Sequence, residues 1–202
     1  MNAFLTGVAA GYGIAVPVGA IAVLIMDLGI RRGFWPAFAA GAGAATADLV
    51  YASLAVVGGT ALAAAVESIG RPLRIVSGLV LLVIGVVGLG RSGRSGNATA
   101  AKARSADLSR TYGRFVGLTV VNPTTVVYFA AIVIGLGVAG NLSAGEGALF
   151  VTGAFLASLS WQTVIAAVGA FAGHRLSIRA RRLVSVLGNV VILVFAIVIL
   201  AG

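Results

Sequence analysis

Six stretches of the sequence run free of charged residues for about the length that crosses a bilayer, and this pattern limits the fold more than any motif does. The uncharged tracts occupy residues 1–26, 33–47 with 49–66, 75–90, 115–145, 147–173 and 183–202. Most approach or exceed the ~18 residues that mark a spanning helix. A helix satisfies its own backbone polar groups, which hydrocarbon cannot do for it. The chain is therefore read as an all-α integral membrane protein with six transmembrane helices, at about residues 4–26, 34–58, 72–90, 115–138, 147–173 and 183–200. Composition agrees: 60% of the 202 residues are hydrophobic and 9% are charged, with a mean hydropathy of +1.11. Soluble domains run at roughly 45–50% and 25%. A transmembrane barrel needs alternating polarity over about ten residues, whereas these tracts are continuously apolar. The first tract has no Lys or Arg before Arg31 and is longer than a signal-peptide core, so it is expected to remain as a span.

A net charge of +9 raises the question of a nucleic-acid surface, and the positions of the charges answer it. Arg31 and Arg32 lie between spans one and two. Arg91, Arg94, Lys102, Arg104, Arg110 and Arg114 lie between three and four, and Arg175, Arg179, Arg181 and Arg182 between five and six. Twelve of the fourteen basic residues thus share one side, leaving Arg71 and Arg74 on the other. The positive-inside rule makes the rich side cytoplasmic and both termini external, in a multi-pass membrane protein. The charge is explained by topology and by the lipid headgroups it would meet, and no nucleic-acid partner is expected. With no Cys and one His, disulfides, thiol chemistry and a zinc site are excluded. No Gly-rich nucleotide loop with its Lys follows a strand, so an ATP-driven pump is disfavoured and neither cofactor nor metal is expected.

Residues 91–110, RSGRSGNATAAKARSADLSR, have almost nothing to bury. They are read as the body of a flexible cytoplasmic linker, residues 91–114, in which the sequon Asn97-Ala98-Thr99 has no consequence. The linker divides the chain into two triplets of spans, residues 1–90 and 115–202. Gly11 precedes Pro17 by six residues and Gly117 precedes Pro123 by six. FAAG at 38–41 is matched by FVTG at 150–153, and SGLVLLVIGVV at 77–87 by LGNVVILVFAIV at 187–198. Three matches in one order indicate an internal repeat, and an odd number of spans per repeat inverts the second relative to the first.

Pro17, flanked by Gly13 and Gly19, and Pro123, flanked by Asn122, Thr124 and Thr125, each fall in the first span of a triplet. Proline removes a backbone donor and displaces the carbonyl one turn back, so a helix kinks or breaks there. Paired interruptions at corresponding positions point to a central binding site, although prolines also kink helices that only pack. Asn122 can satisfy the released carbonyls or offer its amide to a substrate carboxylate.

Residues 17–58, PVGAIAVLIMDLGIRRGFWPAFAAGAGAATADLVYASLAVVG, resemble the first two spans of the LysE-type amino-acid exporter family. NPTTVVYFAAIVIGLG at 122–137 resembles its fourth-span motif, and residues 153–169 and 188–200 resemble its last two spans. The likeness covers nearly the whole chain apart from the linker. It implies six spans in two inverted triplets, a bacterial inner membrane, and secondary export of amino acids or related small metabolites. Two departures stand out. Family members usually carry Pro-x-Gly-Pro where this chain has Ala20 after Gly19, and exporters of basic amino acids carry an acid where this chain has Tyr128. The second weakens any transfer of specificity for cationic substrates.

Asp48 is the fifteenth residue of the second span, about 22 Å along a helix from Phe34. A carboxylate near the bilayer centre is unfavourable by roughly 2.5–3.5 kcal/mol, and no Lys or Arg lies within a predicted span to neutralise it. Such a group can take a proton, hold a substrate ammonium, or exchange one for the other. Its other reading is a protonated Asp bonded to a neighbouring helix for packing. Tyr51, three residues on, shares its face and can bond Asp48 or substrate, or serve as a core tyrosine. Gln162, near the matching place in the second triplet, and Asn189, the lone amide of span six, are polar lining or interhelical bonds. The candidate substrate and proton site is therefore Asp48, Pro17, Gly19, Asn122, Pro123, Tyr51, Gln162 and Asn189.

The expected function is a secondary transporter exporting amino acids or similar metabolites, with protons as coupling ion. Its rival is a membrane structural or assembly subunit. An intramembrane enzyme ranks lowest, because Asp48 is the only acid within the spans and the sole His lies at a span end. Small-residue faces permit a homodimer.

Overall fold

The computed structural model describes residues 2–16, 19–92, 105–122, 125, 129 and 142–201, and among them every regular element is a helix. The first apolar tract forms two helices rather than one, α1 (Ala3–Ala15) and α2 (Ala20–Arg32), inclined at 77°. The interruption expected around Pro17 thus separates them, although Pro17 itself lies outside the described residues. Asn2 caps α1 by accepting from the Phe4 amide at 3.1 Å. Arg31 and Arg32 close α2, where cations complement the helix dipole, and Arg31 pairs with Asp27 one turn back at 2.9 Å. Gly33 follows at φ 86°, a conformation that lets the chain reverse directly into the next helix.

That helix, α3 (Phe34–Ser92), is continuous in hydrogen bonding but broken at Gly58 (φ −149°, ψ 45°). Its first segment, Phe34–Gly58, coincides with the second predicted span. Ala37, Ala40, Ala44, Ala45, Ala47, Ala52 and Ala55 are essentially fully buried along it, so neighbouring helices approach closely. Its last segment, Arg74–Gly90, is apolar but shorter than a full span.

α4 (Ser105–Val120) begins inside the region read as linker, so residues 105–114 are helical rather than flexible. The cause is local. Asp107 sits in the first turn, where the dipole favours an acid, and Leu108, Tyr112 and Phe115 recur at helical spacing with Phe115 buried. Residues 93–104, the rest of that linker, lie outside the described residues, as do Pro123 and Tyr128 and nearly all of 123–138.

α5 (Ala144–Arg175) starts at a capping box. Ser143 accepts from the Glu146 amide at 3.4 Å and donates its own amide to Glu146 at 3.0 Å. α6 (Ile178–Ala201) follows after a short break at which the Arg181 guanidinium donates to the Leu176 carbonyl at 3.1 Å.

α5 is the axis of the assembly, with α1 packed along its first half and α2 along its second. α3 packs against α4, α5 and α6. The α1–α5 and α2–α5 seams are built on glycine. Gly7 and Gly11 face the backbone of Phe150 and Ala154, and Gly153 faces Phe4 and Val8. A Cβ on Gly169 would stand 2.6 Å from the Met26 carbonyl oxygen, and one on Gly173 2.6 Å from that of Ile30. Such small-residue seams let helix backbones touch where no hydrophobic force between helices is available. Phe34–Gly58, Ala144–Arg175 and Arg179–Ala201 are each long and apolar enough to cross a membrane, and α1 with α2 qualifies as one bent span.

Candidate functional site

Asp48 occupies the buried face of α3, in register with Gly41, Ala44, Ala45, Ala52 and Ala55. It is 5% exposed. The facing stripe of α5 runs through Ala154, Ser158, Gln162 and Ile165. The Ser158 hydroxyl donates to the Asp48 carboxylate at 2.6 Å. No ion pair to Asp48 occurs among the described residues. The helices meet this closely because a Cβ on Gly41 would lie 2.9 Å from that of Gln162.

Beside the carboxylate is a cavity of about 90 Å³, walled on its polar side by Asp48, Gln162, Thr119, Asn122, Thr125 and Gly19. Thr119 and Gln162 are 3% and 6% exposed, yet Thr119 Oγ1 and Gln162 Oε1 make no hydrogen bond among the described residues. Buried polar atoms without partners are rare and point to a ligand, an ion or water at that spot. The volume has room for several waters.

Two helix ends frame the cavity. α2 begins at Gly19, whose extended backbone caps the helix and whose carbonyl accepts from Val23 at 3.2 Å. Ala20, Ile21 and Ala22 of its first turn line the cavity, so the positive end of the α2 dipole borders it. α4 ends at Val120, and the carbonyls freed there are taken by side chains of α3. The Tyr51 hydroxyl donates to the Val120 carbonyl at 2.5 Å, and Ser77 donates to that of Val121. Tyr51 also stacks on Phe129, with ring centroids 5.6 Å apart. Tyr51→Phe should therefore cost about 1 kcal/mol of stability by leaving a carbonyl unpaired. An unchanged unfolding midpoint in detergent would show that this bond does not hold the break.

The cavity decides which predicted residues belong together. The family model described as LysE type translocator matches residues 13–202. The chain belongs to this family. A 51-residue stretch is 43% identical to the protein named "Putative amino acid efflux protein YcgF" of Bacillus subtilis (strain 168), covering 25% of this chain and 24% of that protein. The chain is thus aligned with about a quarter of that relative's length. No solved structure matches it.

Within this member of the family, Asp48, Gly19, Asn122 and Gln162 meet at one cavity. Tyr51 donates a hydrogen bond to the Val120 carbonyl and supports the end of α4 from behind. Asn189 stands elsewhere. Its amide donates to the Ser185 carbonyl at 2.7 Å and its side chain lies against Gly88, bordering a wider cavity with Asp27, Arg31, Arg32 and Arg114. Pro17 and Pro123 fall outside the described residues. Ser158 and Thr119 escaped the sequence reading, and Thr125 entered it only as a neighbour of Pro123. Ser158 lies one turn from Gln162 and Thr119 three residues before Asn122, spacings that share a face. The signal is weak, because many hydroxyls in such helices donate to the carbonyl one turn back, as Thr46, Ser53, Thr152 and Thr163 do here.

Proposed function

We propose that this chain is a secondary exporter of amino acids or related small metabolites, driven by protons, in a bacterial inner membrane. In this reading its six spans form two inverted triplets, both termini lie outside, and the arginine-rich side is cytoplasmic. The observation that carries the reading is the Asp48 carboxylate, bonded by the Ser158 hydroxyl and bordered by oxygens of Gln162 and Thr119 that have no partner among the described residues.

A carboxylate removed from water is unstable as a lone charge, so it is held either by a proton or by a cation. A substrate ammonium and a proton then compete for one group, and exchange between them couples their opposite movements. The same cavity offers the anionic end of a zwitterion the first turn of α2, whose amide groups have no intrahelical acceptors. One acid and one helix N-terminus suit a neutral or zwitterionic amino acid better than a dibasic one.

Purified protein in proteoliposomes tests this. With an acidic lumen, a panel of labelled neutral amino acids is expected to include at least one that accumulates against its concentration gradient, and a protonophore should dissipate the accumulation. No flux of any panel member from the purified chain would favour a structural or assembly subunit. Flux that only equilibrates would favour a passive channel.

A further inference from the structure

Three cavities lie in series beside α2, α4 and the last segment of α3. The widest, about 420 Å³, is bordered by Arg31, Arg32 and Arg114, with Asp27, Thr111 and Asn189. Three arginines face one aspartate there, and that aspartate is paired with Arg31 at 2.9 Å. The next cavity, about 10 Å³, is enclosed by Ile21, Ser77, Leu81, Leu118 and Asn122. It holds about one water. The third is the Asp48 cavity. Leu118 borders the first and second, while Ile21, Leu81 and Asn122 border the second and third. The three therefore share walls from the basic end of the helices to the carboxylate, and the narrowest point is enclosed mainly by apolar side chains, with Ser77 and Asn122 beside them.

We propose that the basic cavity is a vestibule that captures the carboxylate end of the solute, and that Ile21, Leu81 and Leu118 form the gate separating it from Asp48. The identity of the solute as an amino acid rests on the function proposed above; the vestibule and gate rest on the cavities. A positive cleft with apolar walls concentrates anions. Arg32 and Arg114 supply that charge beyond the Asp27–Arg31 pair. The gate residues carry no polar group to detain a solute and, when closed, leave no continuous water path along which protons could leak past Asp48.

The sequence contains no Cys, so a single introduced cysteine reports its own site. Val87→Cys places a thiol in the vestibule and Ala44→Cys one beside Asp48. Charged thiosulfonate reagents are applied to each face of vesicles of zwitterionic lipid, which removes anionic headgroups as competitors for the arginines. Val87→Cys is expected to react from one face only, and on the order of tenfold faster with the sulfonate reagent than with the ammonium reagent of similar size. Arg32→Gln with Arg114→Gln should abolish that preference. Ala44→Cys should react slowly from the same face, and on the order of tenfold faster once Leu118→Ala or, independently, Ile21→Ala widens the gate. Equal rates for the two reagents at Val87→Cys would overturn the vestibule, and an Ala44→Cys rate indifferent to both gate variants would overturn the gate. These rates require no turnover. A chain that transports nothing but shows this labelling defeats the exporter reading alone, and a working exporter without it defeats only this proposal.

Discussion

Asp48→Asn is expected to reduce proton-driven accumulation to background in proteoliposomes while the protein remains folded and inserted. The amide is nearly isosteric with the carboxylate, and its oxygen can still accept the hydrogen bond that Ser158 makes at 2.6 Å. Packing against α5 is therefore preserved. What disappears is the ability to alternate between a charged and a neutral form, which the amide lacks at any accessible pH. It also loses the negative charge that would hold an ammonium. Circular dichroism and elution volume in detergent should match the parent. Accumulation at the parent rate would sink the coupling role and leave Asp48 as a packing residue bonded to its neighbour.

The second large effect is structural. Gly153→Leu should largely eliminate the folded protein, because a Cβ at this position already meets the Phe4 carbonyl and lies 3.0 Å from the Val8 amide nitrogen. These are backbone atoms of α1, and no rotamer change moves them aside. Overpacking of this kind typically costs 1–3 kcal/mol, and here relief requires shifting a whole helix, so the upper part of that range or more is expected. Gly117 provides the contrast. It is exposed on α4, and a Cβ there meets nothing within 4 Å, so Gly117→Ala should raise stability by roughly 0.5–1 kcal/mol through helix propensity. Thermal unfolding of the two variants in one detergent compares them directly. If Gly153→Leu unfolded at the parent temperature, the glycine seams could not be what holds α1 against α5.

Between the two variants lies the difference between what a linear pattern reports and what it omits. The second span was legible from end to end, since Phe34–Gly58 is bounded by Gly33 and the Gly58–Gly59 pair and has one charge within it. The break in the first tract was legible from Pro17 and its glycines, but its 77° bend was not, because the angle depends on α5 receiving α1 and α2 along different parts of its length. The start of α4 is hidden in the sequence because low hydrophobicity around residues 105–114 resembles a linker, whereas an amphipathic helix needs only one apolar face, here including the buried Phe115.

By itself, the sequence determined that this chain enters a bilayer as helices, that the first of them is interrupted near Pro17, and that one acidic residue is carried into the apolar interior. These follow from length, proline chemistry and the desolvation of charge, all properties of a residue and its near neighbours along the chain. Only the tertiary structure decided that Ser158 would be bonded to Asp48, that Thr119 and Gln162 would lie beside it with oxygens unpartnered among the described residues, and that Tyr51 would turn away to hold the end of α4. Those outcomes depend on which faces the glycine seams bring together. Residues more than a hundred positions apart are juxtaposed there by backbone contact, and no local pattern encodes their distance.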